Sequence, residues 1–339
     1  MKAAIVPQHG RLEVADIFPP EPGPYDCLVR IDACAICTGT DLNLIAGNFP
    51  SLEKTPFVLG HESTGLLVEV GGQVRNFQVG QRVTRPAAVL AGQRRDGVGS
   101  MWGGFAELGL VRDDAASCAD GIESNVSSAS RSPMPDDVDV VSAALSVNQR
   151  EILSATAKLG LDEASRVVVV GSGYNGLLYC FFSKHFGAGR VAVVGNAARA
   201  ELAAAAFDAD GFVNYRDKSA ADKVHALLDG EPTHVIDAVG TVRSVTLARD
   251  LLGLKTAFGR YGMHEWTAAT PLADEIHRSH PKLELATDEA GCVGAWHELW
   301  RKGAFDREGM CDGLVPLDGI VEALGRLARR EALKLVVTM

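Results

Sequence analysis

The sequence lacks the long apolar runs and the basic runs that direct proteins to membranes or to nucleic acids. No run of Lys and Arg is longer than a pair, and the net charge is −10 with a pI near 5.4. A chain of this charge has no electrostatic attraction to phosphate backbones or anionic lipid surfaces. It also lacks an N-terminal apolar stretch of signal-peptide length and any stretch long enough to span a bilayer. We therefore expect a cytoplasmic protein with a small-molecule partner and with no nucleic-acid or membrane partner.

Cysteine is sparse and shows no disulfide pattern. The seven cysteines form an odd and scattered set, which predicts reduced thiols in packed positions. Cys34 and Cys37 make a CxxC pair that, taken alone, could suggest zinc or redox chemistry. Alternation along a β-strand, however, puts these two side chains on opposite faces. One cysteine, not two, is expected to face the functional site.

The residues that are present predict two folded domains. The chain has 339 residues, 47% of them hydrophobic and 22% charged, which is typical of globular proteins and too long for one ordinary core. Residues 1 to about 115 form short β-rich pieces punctuated by Gly and Pro. The stretch 113–137 is rich in Ser, Asp and Pro without an apolar period, which predicts an exposed loop.

From about residue 146, strand-like and helical patterns alternate. The strand candidates include RVVVVG, RVAVVG, THVIDAVG and KTAFGRYG, and KLELA at 282–286 is the last of them. Alternation of buried strands with helices predicts a parallel, doubly wound sheet. Two further helices and the closing strand LKLVVTM follow, and we expect them to pack back on the first domain.

A glycine loop lies at the first strand-to-helix junction of this region. In VVVVGSGYNGLLY, Gly171, Gly173 and Gly176 have the spacing GxGxxG. The first glycine allows a tight turn, the second lets the backbone approach a pyrophosphate, and the third lets helix and strand pack closely. The βαβ context favours dinucleotide binding over a merely structural glycine turn.

The end of the second strand bears on the choice of dinucleotide. An acidic residue there would hold the ribose 2′-hydroxyl of NAD, but this strand ends in Gly195 and Asn196. With no carboxylate to repel a 2′-phosphate and with Arg199 three residues on, NADP(H) is favoured over NAD(H). The alternative is that Asn196 is a turn residue and Arg199 a solvated helix charge.

The stretch PFVLGHESTGLLVEVG, residues 56–71, is an apolar run interrupted by His61 and Glu62. An ionisable pair beside apolar neighbours has to be solvated, paired or coordinated, because burying it bare costs several kcal/mol. With Cys37, the pair supplies a thiolate, an imidazole and a carboxylate, which are ordinary ligands for a tetrahedral Zn²⁺ with an open position. Singly, Cys37 could equally be a core residue and His61 a satisfied strand histidine.

The ordered motifs CTGTD, GHESTGLLVEVG, VGQRV and GGFAEL, followed by the glycine loop, resemble the medium-chain dehydrogenase/reductase superfamily. More narrowly, they are similar to its zinc-dependent alcohol, polyol and sugar dehydrogenases. The resemblance implies an α/β protein with a GroES-like irregular β catalytic domain, residues 1–145 and 289–339, and a Rossmann coenzyme domain, residues 146–288. It also implies a homodimer or homotetramer.

The resemblance further implies an NAD(P)-dependent, zinc-assisted enzyme that interconverts a hydroxylated secondary alcohol and its ketone or aldehyde. Cys37 and His61 match the zinc ligands, and Glu62 matches a glutamate beside the metal or bound to it. Thr40 matches the hydroxyl that relays the alcohol proton, and Asp41 the carboxylate that orients the histidine. The coenzyme residues implied in this way are Gly171, Gly173, Tyr174, Asn175, Gly176, Asn196, Arg199 and Val239.

Three departures from the family pattern affect the site. CTGTD is one residue longer than usual, so Thr38 could substitute for Thr40. The lobe with four closely spaced cysteines is missing, so we expect one catalytic zinc and no structural zinc. The usual third ligand position falls near Val147, which cannot ligate, and Asn148 and Gln149 are poor ligands. Glu151 is then the nearest carboxylate, and the alternative is that Glu62 and water complete the shell.

Two other functions stay open from the sequence. One is a zinc-free quinone or enone reductase of the same superfamily, for which the missing third ligand would be the indicative feature. The other is a non-catalytic NADP(H)-binding sensor. Candidates for the substrate wall are Phe49, Trp102 and Phe105, although an aromatic residue in a β domain more often belongs to the core.

Overall fold

The computed structural model describes residues 1–122, 132–305 and 307–339. The chain divides into two compact units, Met1–Asn148 with Glu289–Met339, and Gln149–Asp288. The second unit is thus inserted into the first along the sequence. None of the helices in the described ranges combines the length and apolarity of a membrane span.

The first unit contains two β-sheets. A four-stranded sheet has the order β2 (Glu13–Asp16), β1 (Lys2–Val6), β4 (Phe57–Val58) and β7 (Gly99–Ser100). A six-stranded sheet has the order β14 (Leu314–Pro316), β15 (Val336–Thr338), β3 (Asp26–Ala35), β5 (Glu62–Val70) and β6 (Arg82–Thr84), with β8 (Leu108–Arg112) also on β3. Because β15 pairs with β3, residues from both ends of the chain share one sheet.

The helices of the first unit are short. They are α1 (Thr38–Ala46), α2 (Asp114–Ala119), α9 (Val293–Arg301), α10 (Arg307–Met310) and α11 (Ile320–Ala328). Helix α3 (Val140–Ala157) contains the boundary between the two units.

The expectation of an exposed loop over 113–137 is wrong for its first part. Helix α2 begins there because the Asp113 carboxylate accepts the Ala116 N–H at 3.1 Å and caps the first turn. Ala116 and Ser117 of this helix are buried, so the segment packs in spite of its polar composition. The part of the prediction that concerns residues 123–131 lies outside the described residues.

The second unit is a five-stranded parallel sheet, which confirms the prediction from alternation. Its order is β11 (Gly211–Asn214), β10 (Arg190–Gly195), β9 (Arg166–Val170), β12 (His234–Asp237) and β13 (Ala257–Arg260). The connecting helices are α4 (Tyr174–His185), α5 (Ala200–Phe207), α6 (Ala220–Leu228), α7 (Val242–Asp250) and α8 (Trp266–His277). The strand order reverses between β9 and β12, and ligands of such sheets bind outside the carboxyl ends of the strands at this point.

The strand expected at 282–286 is not present. Only Lys282 forms a bridge, to Phe258 of β13. The Phe258 N–H donates to Pro281 O at 2.9 Å and the Leu283 N–H donates to Phe258 O at 2.8 Å. Because Pro281 has no N–H, the ladder cannot extend on the N-terminal side of this bridge.

Candidate active site

Gly60 determines how His61 enters the site. Its φ is +102°, and a Cβ at this position would lie 2.5 Å from the backbone nitrogen of Phe105. The Gly104 N–H donates to Gly60 O at 2.7 Å, so the two segments lie in direct contact. Only glycine fits this close approach. The glycine that interrupts the apolar run therefore turns the chain so that His61 and Glu62 follow at the start of β5.

Cys37 lies at the junction between β3 and α1. It is the N-cap of α1, and its N–H donates to the Asp41 carboxylate at 3.0 Å. The Cys37 thiol donates to Thr40 Oγ1 at 3.5 Å, so the extra residue in CTGTD does not remove Thr40 from the cysteine. Thr38 is the first residue of α1. The N-terminus of a helix favours negative charge, as a metal-binding thiolate requires.

Cys34 has a different environment from Cys37. It is fully buried in β3, in an apolar cluster with Ile36, Leu44 and Val337. Burial raises the pKa of the Cys34 thiol well above its usual value. Cys34 is therefore an inert core thiol, and the CxxC pair does not act as a unit.

Cys37, His61 and Glu62 form the group that could hold a metal ion. Their ligand atoms all lie within 4.8 Å of one another. His61 Nδ1 lies 3.6 Å from Asp41 Oδ1, and His61 Nε2 lies 3.8 Å from Glu62 Oε1. This arrangement directs Nδ1 to the Asp41 carboxylate and leaves Nε2 on the side of Glu62, as in a carboxylate–histidine–metal arrangement.

Orphaned polar atoms in this group fit a cation. His61 Nδ1, Asp41 Oδ1 and Glu62 Oε1 are buried without a hydrogen-bond partner among the described residues. Buried polar atoms without partners are costly and often mark the site of an ion or a water. Together with a thiol, an imidazole and a carboxylate, these orphans make the donor set fit for Zn²⁺.

The neighbours of His61 favour its charged form. Burial alone lowers its pKa, but the Asp41 carboxylate and Cys37 outweigh burial and hold the pKa of His61 well above its usual value. A metal ion bound at this group would displace that proton, because an imidazole that ligates a metal is neutral.

Lys334 is a site residue that sequence reasoning missed. Its Nζ lies 2.5 Å from Glu62 Oε2, and both side chains are buried. Burial opposes the charge of Lys334, yet Glu62, Cys37 and Asp41 raise its pKa above the usual value. The available signal was a lysine inside the apolar closing strand LKLVVTM, where only a paired lysine can be buried.

Strand register explains how Lys334 reaches Glu62. Ala35 of β3 pairs with Glu62 on one side and with Val336 of β15 on the other. The Lys334 N–H also donates to the Asp312 carboxylate at 2.9 Å, which fixes the backbone before β15. The ion pair is thus set by three adjacent strands whose residues are far apart in sequence.

Residues near the position at which the family usually has its third ligand lie in different surroundings. Val147 is fully buried in the core. The Gln149 amide donates to the Tyr174 hydroxyl at 3.1 Å. Glu151 belongs to the second unit, where its carboxylate accepts a hydrogen bond from the Tyr261 hydroxyl at 3.3 Å. Within the described residues, the group with metal-binding geometry contains Cys37, His61 and Glu62 and does not include Glu151.

The glycine loop of the second unit has the geometry that its motif predicts. Gly171 has a φ of +121°, and a Cβ there would lie 2.7 Å from Val239 Cγ2. A Cβ at Gly176 would lie 2.0 Å from Gly171 O, so helix α4 can approach β9 only with glycine here. A Cβ at Gly173, the N-cap of α4, would meet nothing within 4 Å. The first and third glycines serve the fold, and the second leaves open space at a helix N-terminus.

Tyr174 and Asn175, which follow this N-cap, form the first turn of α4. Tyr174 is buried, and its hydroxyl accepts the bond from Gln149 described above.

At the end of β10, Asn196 acts as a turn residue. Its side chain accepts the Ala198 N–H at 3.2 Å, and its own N–H donates to Ser172 Oγ at 2.9 Å. Arg199 ends the short 3₁₀ helix that follows. Asn196 is thus a turn residue, as the alternative interpretation predicted. Its bond to Ser172 places this turn beside the glycine loop, so the turn is compatible with a ligand bound at that loop.

Asp237, at the end of β12, also escaped sequence reasoning. Its carboxylate accepts the N–H groups of Val239 and Gly240 at 3.0 and 3.1 Å and the Ser244 hydroxyl at 3.1 Å. Burial raises its pKa to about 6, in spite of these bonds. Asp237 thereby shapes the turn that carries Val239 to Gly171.

Of the three aromatic candidates, Phe105 is fully buried in the core, whereas Trp102 is 38% exposed. The Trp102 ring lies 5.2 Å from the imidazole of His61 and 6.0 Å from the ring of Phe49. The structure thus places Trp102 beside the candidate metal-binding group, which is Cys37, His61 and Glu62, and places Phe49 against Trp102.

Comparisons with known proteins show what this chain is similar to. Residues 23–119 match the alcohol dehydrogenase GroES-like domain family. An alcohol dehydrogenase from Cupriavidus necator is 29% identical over 270 residues, 71% of this chain and 70% of that protein. An NADP-dependent isopropanol dehydrogenase from Entamoeba histolytica is 28% identical over 240 residues, 68% of this chain and 64% of that protein. A putative zinc-binding dehydrogenase from Sinorhizobium meliloti, solved bound to NADP, is similar with a TM-score of 0.77 and 26% identity over 100% of this chain and 99% of that one.

Proposed function

Since this chain is a zinc-type medium-chain dehydrogenase/reductase, we propose that it interconverts an alcohol and its ketone or aldehyde by hydride transfer to and from a nicotinamide coenzyme. The GroES-like family match and the solved relatives confirm the resemblance predicted from the motifs. The observation that carries the proposal is the convergence of Cys37, His61 and Glu62 within 4.8 Å.

The chemistry divides between bound groups and the chain's own residues. A zinc ion held by Cys37, His61 and Glu62 would act as a Lewis acid on the substrate oxygen, and a bound nicotinamide would exchange hydride with the substrate carbon. Thr40 Oγ1 receives the proton of the substrate hydroxyl and passes it towards solvent, since Thr40 is partly exposed. Asp41 orients the His61 ring.

Lys334 sets the charge of the site. Its ammonium pairs with the Glu62 carboxylate. This pairing reduces the negative charge that Glu62 would present to a bound metal ion. The third and fourth positions of the metal shell are proposed to be filled by Glu62 and water, with Glu151 as the alternative from the sequence. One catalytic zinc per chain and no structural zinc is the proposed stoichiometry.

The proposed coenzyme is NADP(H). Arg199 follows the end of β10, where an NAD-specific site would have a carboxylate. The Tyr215 N–H donates to Gly195 O at 3.0 Å, and the guanidinium groups of Arg243 and Arg216 lie 4.9 and 5.5 Å from the Tyr215 ring centre. These positive charges near the end of β10 support recognition of a 2′-phosphate. With NADPH, reduction is the proposed physiological direction.

The resemblance to polyol and sugar dehydrogenases makes a hydroxylated secondary alcohol one substrate class to test.

A homodimer or homotetramer is proposed on the family resemblance and is checked by the molar mass in solution from light scattering.

The first experiment measures zinc by elemental analysis on protein purified without chelators or metal-affinity resin. We expect about one zinc per chain, and NADPH-dependent ketone reduction that is lost on chelation and restored by Zn²⁺. Folded protein that binds NADPH but holds no zinc, and reduces quinones or enones instead, would support the zinc-free reductase. NADPH binding with neither zinc nor turnover would support the sensor.

A further inference from the structure

Trp102 has a backbone conformation that a bulky residue rarely adopts. Its φ is +63°, in the left-handed region, where strain persists only if the surroundings impose it. Both neighbours of Trp102 are fixed. The Met101 N–H donates to Val58 O at 2.8 Å, and Gly103 O accepts the Ala88 N–H at 3.0 Å. These two hydrogen bonds, to β4 and to the segment at Ala88, therefore hold Trp102 in this conformation, and such strain is concentrated at functional sites.

The strained residue presents its ring beside the metal-binding group. The Trp102 and His61 rings are tilted by 48° with centres 5.2 Å apart, and the Phe49 ring meets the Trp102 ring edge-on at 87°. Trp102 stays 38% exposed, whereas His61 and Glu62 are buried. The aromatic wall, which we define as Trp102 and Phe49, thus forms a partly open apolar surface next to His61.

We propose that Trp102 is a specificity-determining residue, and that the aromatic wall selects substrates with an aryl ring next to the carbon that bears the oxygen. This inference rests on the proposed function, because it assumes that the substrate oxygen approaches the group formed by Cys37, His61 and Glu62. A substrate at that group lies within reach of a ring 5.2 Å from His61.

The physical reason is the surface that the wall offers. Aromatic rings attract one another in edge-on or offset arrangements at centre distances of about 4.5–7 Å. A hydroxyl pressed against the same surface would lose its water without gaining a partner, apart from the single indole N–H. The wall therefore favours an aryl ketone over the hydroxylated ketone that the family resemblance suggests.

The test compares three ketones in NADPH-dependent reduction by the full-length, zinc-loaded protein. Acetophenone carries an aryl ring, hydroxyacetone carries a hydroxyl, and acetone carries neither. We expect kcat/KM for acetophenone to exceed that for hydroxyacetone by about tenfold or more in the wild type. Trp102→Ala is expected to reduce this ratio by about tenfold, mostly through the KM of acetophenone, whereas Trp102→Phe retains it within about threefold.

Controls separate selectivity from folding and metal binding. Zinc content should be unchanged in both variants, and Trp300→Ala, which removes a ring stacked on Trp296 instead, should leave the ratio unchanged. An equal loss for all three ketones in Trp102→Ala, or a wild-type preference for hydroxyacetone, would overturn the inference and leave the proposed function standing. Absence of turnover for all three ketones in zinc-loaded, NADPH-binding protein would overturn the proposed function and this inference with it.

Discussion

The candidate metal-binding group of the first unit and the glycine loop of the second unit are built in opposite ways. The glycine loop is local, since Gly171 to Gly176 place their own backbone atoms in contact. The metal-binding group is assembled over distance, because Cys37, His61 and Lys334 come from different elements joined only through sheet register. The glycine loop depends on the absence of side chains, whereas the group around Cys37 and His61 depends on buried charges that must compensate one another. Mutations should therefore break the two sites by different mechanisms.

The largest expected effect is on turnover when the metal-binding group loses its thiolate. Cys37→Ser should abolish ketone reduction, a loss of more than about 100-fold, which exceeds the cost of removing a residue that only supports a ligand. Zinc content should fall, while the Kd for NADPH should stay within about twofold because the glycine loop is untouched. Elemental analysis, steady-state kinetics and fluorescence titration with NADPH check the three parts. Normal turnover in this variant would contradict the zinc mechanism.

The second effect is on stability, through the buried ion pair. Lys334→Met should leave the Glu62 carboxylate buried without its cation and lower the free energy of unfolding of the metal-free protein by about 3–5 kcal/mol. Urea denaturation after chelation measures it. The matched control is Lys184→Met in the second unit, which breaks the partly exposed pair with Asp210 and should cost less than about 1 kcal/mol.

A double variant separates the charge effect from the loss of side-chain packing. Lys334→Met combined with Glu62→Gln should recover at least about half of the lost stability, because no uncompensated charge remains. If Lys334→Met alone unfolds like the wild type, Glu62 is not held as a buried charge and the account of this site is wrong.

The third effect depends on pH and belongs to the second unit. Burial raises the pKa of Asp237 from 3.8 to about 6. A raised carboxyl pKa means that the folded state binds the proton more tightly than the unfolded state. The contribution of Asp237 to stability is therefore fully present below pH 3.8 and is lost as pH rises towards about 6, a change of about 3 kcal/mol.

Comparison with variants isolates this dependence. Between pH 4 and pH 7 the wild type should lose about 2 kcal/mol relative to Asp237→Asn, measured by urea denaturation at each pH, because part of the full change lies below pH 4. Asp217→Asn is the control of opposite sign, since a hydrogen bond from Lys223 lowers the pKa of Asp217 to about 2. The stability that Asp217 contributes is present above about pH 3.8 and is lost as pH falls towards about 2, so Asp217→Asn should show almost no pH dependence between pH 4 and pH 7 and the opposite trend below pH 4. A pH-independent difference for Asp237→Asn would show that this carboxyl is not protonated in the folded state near pH 5.

The same contrast explains what could be predicted from the sequence. The parallel sheet and the glycine loop follow from local periodicity and from glycine spacing, so both could be predicted. Cys37, His61 and Glu62 were suggested by motif order, and the structure brings their ligand atoms within 4.8 Å of one another. Lys334 could not be paired with Glu62, because the match depends on the register of β15, β3 and β5. Asp237 was missed for a related reason, since its burial depends on the packing of neighbouring strands and not on its own segment.

The smallest expected effects come from two glycines of one loop, and they test whether the loop is built from backbone contacts alone. Gly176→Ala forces a Cβ to within 2.0 Å of Gly171 O, so α4 must shift away from β9. We expect a loss of about 1–3 kcal/mol in the free energy of unfolding, as for other overpacked sites, together with weaker NADPH binding.

Gly173→Ala is the matched partner, because its Cβ would meet no protein atom within 4 Å. Its stability should stay within about 0.5 kcal/mol of the wild type. The Kd for NADPH should nevertheless rise by about tenfold or more, since the methyl group enters the space in which the motif lets a pyrophosphate approach the backbone. Unchanged NADPH affinity in Gly173→Ala would mean that the coenzyme phosphates lie elsewhere. Equal destabilisation by both substitutions would mean that the second glycine also serves the fold, and the division of roles within the loop would be wrong.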